Sequence, residues 1–415
     1  MSAYERPVRS RSPLLIIFFT ILIDMIGFGI VIPVLPLYAE QFAATSFQNG
    51  LLVGVFSLAQ FIFSPIWGKA SDRVGRKPIL FVSILGTALG FFMMGAAGSL
   101  AMLFVARIID GISGGNIGTA QAYIADITPP EKRSKSMGLI GAAFGFGFVI
   151  GPALGGILGS AYGHSAPMYF AGGLAVVNAL LVLFLLPESL PKEKRAPRHN
   201  QPISDVFRHA NGRLYGTVVA TYFLLICGFS MMTAQFALFA LHRFGLDAKH
   251  TGYLLAMVGI IGVVIQGGLI GRLVKRFGEA RLATTGATLL AVSLAGMPTS
   301  GAVSTLLFWS GGMAIGNSLL MPTRTGLASQ QVDAAWQGRA LGVMQSSGSL
   351  ARWIGPMLAG WLAAFDFVAG KPGPWYGRWP FWVGAALVGV TIFLTLTLPR
   401  TRPSVAFPAE TSPTT

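Results

Sequence analysis

Charged residues are scarce in this sequence of 415 residues, since Asp, Glu, Lys and Arg together make up only 11% of it. A soluble globular domain would carry roughly a quarter of such residues. Hydrophobic residues reach 53%, and the mean hydropathy is +0.65. The composition therefore excludes an ordinary soluble protein and predicts a chain that lies in a lipid bilayer.

Residues that build reactive or metal sites are equally scarce. The single cysteine, Cys227, excludes an intramolecular disulfide and a cysteine metal cluster. The five histidines are scattered, and none forms a pair with ligand spacing. The glycine runs lie inside apolar segments rather than after a strand, so they do not form a phosphate-binding loop. We therefore expect no enzyme activity, no cofactor and no metal.

Acidic residues number only 15 against 30 basic ones, which gives a net charge of +15. In a soluble chain this excess would indicate a nucleic-acid partner. Here the basic residues fall almost entirely between alternate apolar segments, and such a bias marks the cytoplasmic side of a membrane protein. We therefore expect both termini in the cytoplasm and no nucleic-acid partner.

Twelve apolar segments are each about long enough to cross a bilayer as a helix. They lie at 14–35, 49–67, 79–98, 100–124, 136–159, 166–187, 213–241, 250–270, 281–299, 303–322, 339–364 and 379–398. This pattern predicts an all-α membrane protein. We expect six-helix bundles at 1–187 and 213–398, a charged, proline-rich cytoplasmic linker at 188–212 and a disordered tail at 399–415.

A polar segment, GKASDRVGRKP from Gly68 to Pro78, separates two of the apolar segments and is predicted to be a short loop facing water. Its pattern returns 203 residues later, in the pairs Gly68 and Gly271, Arg73 and Arg276, and Gly75 and Gly278. A second pattern, from Gly151 to Gly156, returns from Gly355 to Gly360 at a shift of 204. The chain is therefore predicted to contain two related halves.

These motifs resemble those of the major facilitator superfamily. The Gly68 segment resembles its signature between helices two and three, and the segment from Arg107 to Gly111 resembles its fourth-helix motif. The segment from Gly147 to Gly156 resembles the fifth-helix motif of its drug–proton antiporters, and the run from Asp24 to Pro36 resembles their first-helix motif. The resemblance implies two pseudo-symmetric bundles that alternate access to a central site.

Within that superfamily the sequence is most similar to tetracycline-type efflux pumps, a likeness that includes the run from Tyr123 to Asp126. It departs from them where they carry a third-helix aspartate and an eighth-helix histidine, because Gly90 and Gly262 stand there. Their ninth-helix aspartate also has no charged counterpart. The resemblance thus implies a monomeric, proton-coupled exporter of lipophilic drug-like molecules in a bacterial inner membrane, but does not extend to tetracycline as cargo. A carrier of a small organic anion or a lysolipid is the alternative.

Four ionisable residues lie within the predicted spans: Asp24, Arg107, Asp110 and Arg352. A charge there is costly and should face the bundle interior or a watery cavity. We hypothesise that Asp24 takes up and releases a proton, with Asp110 sharing this task or holding Arg107. Arg107 is expected to modulate that protonation, and a static charge network is the alternative. Arg352 could bind an acidic substrate or pair with Asp24.

Two motifs are expected to serve conformational change. Charge pairs at the Gly68 segment could form a latch that holds one access state closed, or the segment could simply be a solvated, basic loop; the latch residues would be Gly68, Asp72, Arg73, Gly75, Arg76 and Asp126. The glycine-rich motif could bend its helix or only pack it closely against neighbours. Its residues are Gly147, Gly151, Pro152, Gly155 and Gly156.

Polar and aromatic residues within the spans are candidates for the lining of a substrate cavity. Ordinary hydrogen bonding between helices is the alternative for each of them. The candidates are Gln60, Asn116, Tyr123, Gln235, Gln266, Asn317, Gln345, Arg352 and Trp353.

Overall fold

The computed structural model describes residues 13–129, 132–195, 212–329, 337–368 and 371–396. The predicted tail at 399–415 and most of the predicted linker at 188–212 lie outside these residues. The division of the chain into the two bundles at these limits stays a prediction.

The described residues of the first half form seven helices that make six membrane crossings. They are α1 (Pro13–Glu40), α2 (Ser46–Val74), α3 (Arg76–Gly95), α4 (Leu100–Ser113), α5 (Asn116–Ile127), α6 (Arg133–Tyr162) and α7 (Ser165–Leu185). Helices α4 and α5 belong to one crossing that is broken at Gly114 and Gly115. A short 3₁₀ turn follows at Lys192–Lys194.

The second half repeats this arrangement, with α8 (Gly212–Phe244), α9 (Ala248–Val264), α10 (Ile270–Phe277), α11 (Glu279–Gly296), α12 (Val303–Ser329), α13 (Gln337–Ala363) and α14 (Arg378–Leu396). A π-helical turn, Ile265–Leu269, joins α9 to α10 in a single crossing. Short 3₁₀ turns lie at Met297–Thr299 and Ala364–Asp366, and Phe367–Val368 pairs antiparallel with Lys371–Pro372.

Eleven crossings in the described part of the chain are long and apolar enough to span a membrane. The twelfth, α13, is more polar, because it carries Arg352 and several serines. The predicted all-α fold with twelve crossings is confirmed.

The ends of several helices are fixed by side chains that accept hydrogen bonds from free backbone N–H groups. Thr45 and Gln48 form a capping box at the start of α2, with bonds of 3.2 and 2.8 Å. Ser99 caps α4 through the N–H of Met102, and Asp247 caps α9 through the N–H of His250. Such caps mark the points at which the chain turns back.

The predicted loop between α2 and α3 is shorter than the sequence suggested. Helix α2 continues through Gly68 to Val74 and α3 begins at Arg76, so Gly75 is the only residue between them. Its φ of +117° lies in a region that L side chains rarely adopt, and this explains the glycine. The predicted bounds of the loop, Gly68 to Pro78, are therefore wrong, because polar residues can continue a helix beyond the bilayer.

Each half has its own apolar core. One large cluster of buried residues runs from Ile16 to Leu186, and two others lie between Val218 and Val388. A smaller cluster joins the halves, with Leu37 of α1 beside Ala237, Leu238 and Ala248. The separate cores allow each bundle to act as one body.

The halves approach each other most closely at the end remote from Gly75, which we call the closed end. There Gly50 of α2 lies against Pro356 and Gly360 of α13, and Gly156 of α6 lies against Ala248. Towards Gly75, by contrast, a Cβ on Gly141 of α6 or on Gly267 of the π-helical turn at Ile265–Leu269 would meet no atom of the described residues. The space between the halves therefore opens towards the Gly75 end.

Candidate transport site and gates

The break between α4 and α5 exposes backbone carbonyls inside the bundle, and side chains of α2 and α3 satisfy them. Gln60 Nε2 donates to the carbonyl of Gly114 at 2.8 Å, and Trp67 Nε1 donates to that of Ile112 at 2.5 Å. The Ser83 hydroxyl donates to the carbonyl of Ser113. A non-helical segment within a bilayer requires such partners, so these hydrogen bonds stabilise the break between α4 and α5. Gln60, predicted to line the cavity, instead holds this break.

The break places Asn116, the first residue of α5, against Asp24 in the middle of α1. Asn116 Nδ2 donates to Asp24 Oδ1 at 2.7 Å, while Asn116 Oδ1 accepts from the N–H of Ile117 at 2.8 Å. The second bond fixes which end of the amide faces the carboxyl group. Asp24 is partly buried, and no guanidinium among the described residues lies within ion-pair distance of it.

The second intramembrane carboxylate, Asp110, is neutralised on its own helix. Arg107 Nη1 lies 2.9 Å from Asp110 Oδ2, and both side chains are buried. The Arg107 guanidinium also lies 4.6 Å from the centre of the Phe56 ring. Asp110 is thus held by a fixed cation, and this distinguishes it from Asp24.

Arg352 lies in α13 in the second half and does not pair with Asp24. Its Nη2 donates to Ser349 Oγ at 2.9 Å, and the Tyr222 hydroxyl of α8 is its other polar neighbour. The pairing with Asp24 that the sequence left open is therefore absent from this conformation.

Charged groups around Gly75 form a connected network. Arg76 binds Asp72 at 2.6 Å and Asp126 at 3.1 Å. Glu188, which follows α7, accepts hydrogen bonds from the backbone N–H groups of Arg76 at 2.9 Å and Lys77 at 3.3 Å. A carboxylate is stabilising at this helix N-terminus. A Cβ on Gly75 would clash with the Glu188 carboxylate, so glycine is also needed for this approach.

The sequence predicted part of this network and missed Glu188, whose only signal was its place as the acidic residue directly after the sixth apolar segment. Arg73 is exposed and makes no ion pair within the described segments, in contrast to its predicted role. Within the described residues, Gly68 has no neighbouring atom that a Cβ would meet. The partners of Arg76 that the described residues provide belong to the first half, so in this conformation the network joins α2, α3 and α5 to the segment after α7.

The glycine motif of α6 presents two packing faces. A Cβ on Gly147, Gly151 or Gly155 would clash with the backbone or side chains of α1. Gly156 faces Ala248 of α9 instead, and the carbonyl of Pro152 lies beside Gly252 of α9. Helix α6 continues through Pro152. The motif therefore provides close packing both within the first half and across to the second half.

The remaining predicted cavity residues fall into three groups by exposure. Tyr123 and Gln235 are fully buried; Tyr123 donates to the carbonyl of Pro187, and Gln235 lies by Tyr376. These two predictions are wrong, because helix packing encloses both side chains. Gln266 and Gln345 are exposed, whereas Asn317 and Trp353 are partly buried. The Trp353 carbonyl lies against Gly54, at the contact between the halves.

Polar contacts at the closed end join the halves and were not foreseen from the sequence. His242 Nε2 of α8 lies 2.8 Å from Glu40 Oε1 of α1. Ser160 of α6 donates to Asp247 Oδ2 at 2.8 Å. Burial alone would raise the pKa of Asp247, but hydrogen bonds from His250 and Ser160 outweigh it and lower the pKa. These residues are separated by 202 and 87 positions, so only the packed structure brings them together.

Comparison with known proteins agrees with this architecture. A sequence profile described as Major Facilitator Superfamily matches residues 17–314 and 264–414. The chain is 34% identical over 365 residues to the class C tetracycline resistance protein of Escherichia coli, covering 85% of this chain and 89% of that protein. It is 32% identical over 358 residues to multidrug resistance protein 2 of Bacillus subtilis, covering 83% and 87%.

Among solved structures, the human organic anion transporter MFSD10 (TETRAN) superposes with a TM-score of 0.70 at 24% identity, over 94% of this chain and all of that one. This likeness concerns the fold. Together with the profile match and the relatives, it supports one assignment: the chain belongs to the Major Facilitator Superfamily and is a membrane transporter rather than an enzyme.

Proposed function

We propose that this protein exports lipophilic, drug-like molecules in exchange for protons. The resistance proteins that it resembles support the cargo class. The observation that carries proton coupling is Asp24, a carboxyl group in the first membrane crossing that is held by Asn116 and lacks a neutralising guanidinium among the described residues. We further propose that it works as a monomer in a bacterial inner membrane, with both termini in the cytoplasm.

In this proposal, Asp24 carries a proton in one access state and loses it in the other. A carboxyl group inside a bilayer strongly favours the neutral form unless a cation or water reaches it. The amide of Asn116 can donate to either form, so it holds the side chain in place through the cycle. Asp110 is already paired with Arg107 and serves to position α4.

The cargo would enter from the cytoplasm through the opening at the Gly75 end. Its arrival displaces the Asp24 proton, and the halves then rock to open the closed end. The Arg76 network keeps α2, α3 and α5 together during this movement. Gln266 and Gln345 are the polar groups proposed to meet the cargo.

The test is proton release from purified, detergent-solubilised protein when a hydrophobic drug such as ethidium is added. We expect the wild-type protein to release about one proton per binding event and Asp24→Asn to release none. Asp110→Asn is the matched control, and it should keep most of the release if the Arg107 pair is structural. Equal release from wild type and Asp24→Asn would exclude Asp24 as the coupling site.

A further inference from the structure

A polar stripe runs along α13 towards the opening between the halves. Gln345, Ser349 and Arg352 lie four and three residues apart, so they share one face of the helix. Tyr222 of α8 completes the group, since its hydroxyl donates to Gln345 Oε1 at 3.4 Å and also neighbours Arg352. We call these four residues the Arg352 cluster.

Arg352 differs from the other arginines that lie inside the bundle. Arg107 binds Asp110 and Arg76 binds two carboxylates, but no acidic side chain among the described residues is within ion-pair distance of Arg352. A guanidinium in the middle of a membrane crossing is costly without a counter-charge. It has five N–H donors, and Ser349 and Tyr222 occupy only part of this capacity.

The surroundings indicate what kind of group would supply the missing negative charge. Arg352 directly precedes Trp353, whose carbonyl rests on Gly54 of α2, so it lies at the edge of the contact between the halves. Gln345 is exposed on the same stripe, on the side that opens towards the Gly75 end. Ile62 and Ile66, farther along α2 towards Gly75, are exposed apolar side chains.

We propose that the Arg352 cluster binds the acid group of amphiphilic organic anions such as carboxylates or sulfonates. The planar guanidinium can bind two oxygens of such a group at once. Ser349 and Tyr222 hold the guanidinium in place, and the apolar part of the ligand lies along α2. This proposal rests on the proposed export function, because it assigns the site to the export cavity.

Binding of 11-(dansylamino)undecanoate and its uncharged methyl ester, followed by dansyl fluorescence in detergent at neutral pH, tests the proposal. The wild-type protein should bind the carboxylate about tenfold more tightly than the ester, which is about 1.4 kcal/mol. Arg352→Gln should remove this preference and leave the affinity for the ester unchanged. Arg352→Lys should keep part of it, since the charge remains without the planar fork.

Arg281→Gln is the matched control, because Arg281 is an exposed arginine at the first turn of α11. It should behave as the wild-type protein does. An unchanged carboxylate preference in Arg352→Gln, or equal affinity for both ligands in the wild type, would overturn the proposal. Unchanged ester affinity shows that a variant is folded. The measurement uses no proton gradient, so a failure of this site leaves proton-coupled export of uncharged or cationic drugs to be judged separately by the Asp24 experiment.

Discussion

Three ionisable residues in the middle of membrane crossings are held in three different ways. Asp110 forms an ion pair with Arg107 of its own helix, and Asp24 accepts a hydrogen bond from the neutral amide of Asn116. Arg352 contacts the hydroxyl groups of Ser349 and Tyr222. A buried ion pair is costly to break and therefore tends to stay in place. A group with only neutral partners can exchange its proton or its counter-ion at lower cost. For this reason we propose proton exchange at Asp24, binding of an acid group at Arg352 and a fixed structural role for Asp110.

At the closed end, the stability provided by a helix cap depends on pH, because the capping residue is Asp247. The pKa of Asp247 is lowered, so its ionised form stabilises the folded state above its ordinary pKa and this contribution is lost as pH falls through the folded value. We expect Asp247→Ala to lower the melting temperature at pH 7 by about 1–2 °C, as removal of a cap costs about 1 kcal/mol.

Asp247→Asn separates the two contributions, because asparagine also caps helices but does not titrate. Its melting temperature should stay near that of the wild type at pH 7 and vary less between pH 5 and pH 3. Thermal unfolding of the detergent-solubilised protein across this range provides the measurement. A pH dependence identical to that of the wild type would contradict the assignment.

At the scale of elements, the small residues of α6 allow this helix to pack closely against both halves. Gly151 touches α1 in its own half, whereas Gly156 touches α9 in the other half. Gly141, on the same helix, has no neighbouring atom in the described part of the chain that a Cβ would meet. The same substitution at these three positions therefore separates packing within a half from packing between halves.

We expect Gly156→Leu to fold but to lose most of its drug export, because the side chain would prevent closure against Ala248. Gly151→Leu should reduce stability by about 1–3 kcal/mol through overpacking, and lower the yield of folded protein. Gly141→Leu should be nearly neutral in both respects. Export of ethidium from cells and thermal stability of the purified variants are the two measurements. Normal export by Gly156→Leu would show that closure at this position is not required.

Corresponding crossings of the two halves are irregular at the same depth. Pro65 in α2 and the π-helical turn at Ile265–Leu269 occupy equivalent positions of the 203-residue repeat. Proline removes a helical hydrogen bond and a π turn shifts the pattern of bonds. Each provides a place where the part of the helix near the Gly75 end can bend separately from the part packed at the closed end.

At the scale of the whole molecule, the structure captures one of two expected access states. The halves touch through Gly50, Gly156 and Gly360 at the closed end, and polar pairs such as Ser160 with Asp247 cross the same contact. The small residues allow close approach, whereas the polar pairs can exchange their partners for water when the halves separate. Transport by alternating access requires this contact to open.

A reversible cross-link at the closed end tests that requirement. In a Cys227→Ser background, we expect Ser160→Cys combined with Asp247→Cys to be linked by a short bifunctional methanethiosulfonate, because the native side chains lie 2.8 Å apart. Drug export should be lost on linking and return after reduction. Each single cysteine variant, treated in the same way, is the control. Full export by the linked protein would rule out opening at this end.

Charge is distributed unequally between the two related halves. The first half holds Asp24, Arg107 and Asp110 within its crossings, and the second half holds Arg352. In the first half, the position equivalent to Arg352 is Phe148. The two related bundles can thus have different roles: we propose proton exchange in the first and recognition of an acid group in the second.

Much of the fold could be predicted from the sequence, because hydrophobicity and length alone decide whether a segment crosses a bilayer. Twelve apolar segments, such as the one around Asp24, predicted twelve helices, and the repeat of Gly68, Arg73 and Gly75 predicted two related halves. Boundaries were less well predicted, as the helical extension from Gly68 to Val74 shows. Beyond the hydrocarbon region, water can hydrogen-bond to the backbone of a loop, so helix and loop are both possible there and composition does not decide between them.

The sequence by itself determined that this chain lies in a membrane, that it has two related halves and that a few costly charges lie within them. The tertiary structure alone decided which partners those charges have: Asn116 for Asp24, Asp110 for Arg107, and Tyr222 with Ser349 for Arg352. It also decided that Tyr123 and Gln235 are enclosed rather than open to a cavity. The reason is physical: transfer into lipid depends on each segment alone, whereas a buried polar group is satisfied by whatever group on another helix packs against it.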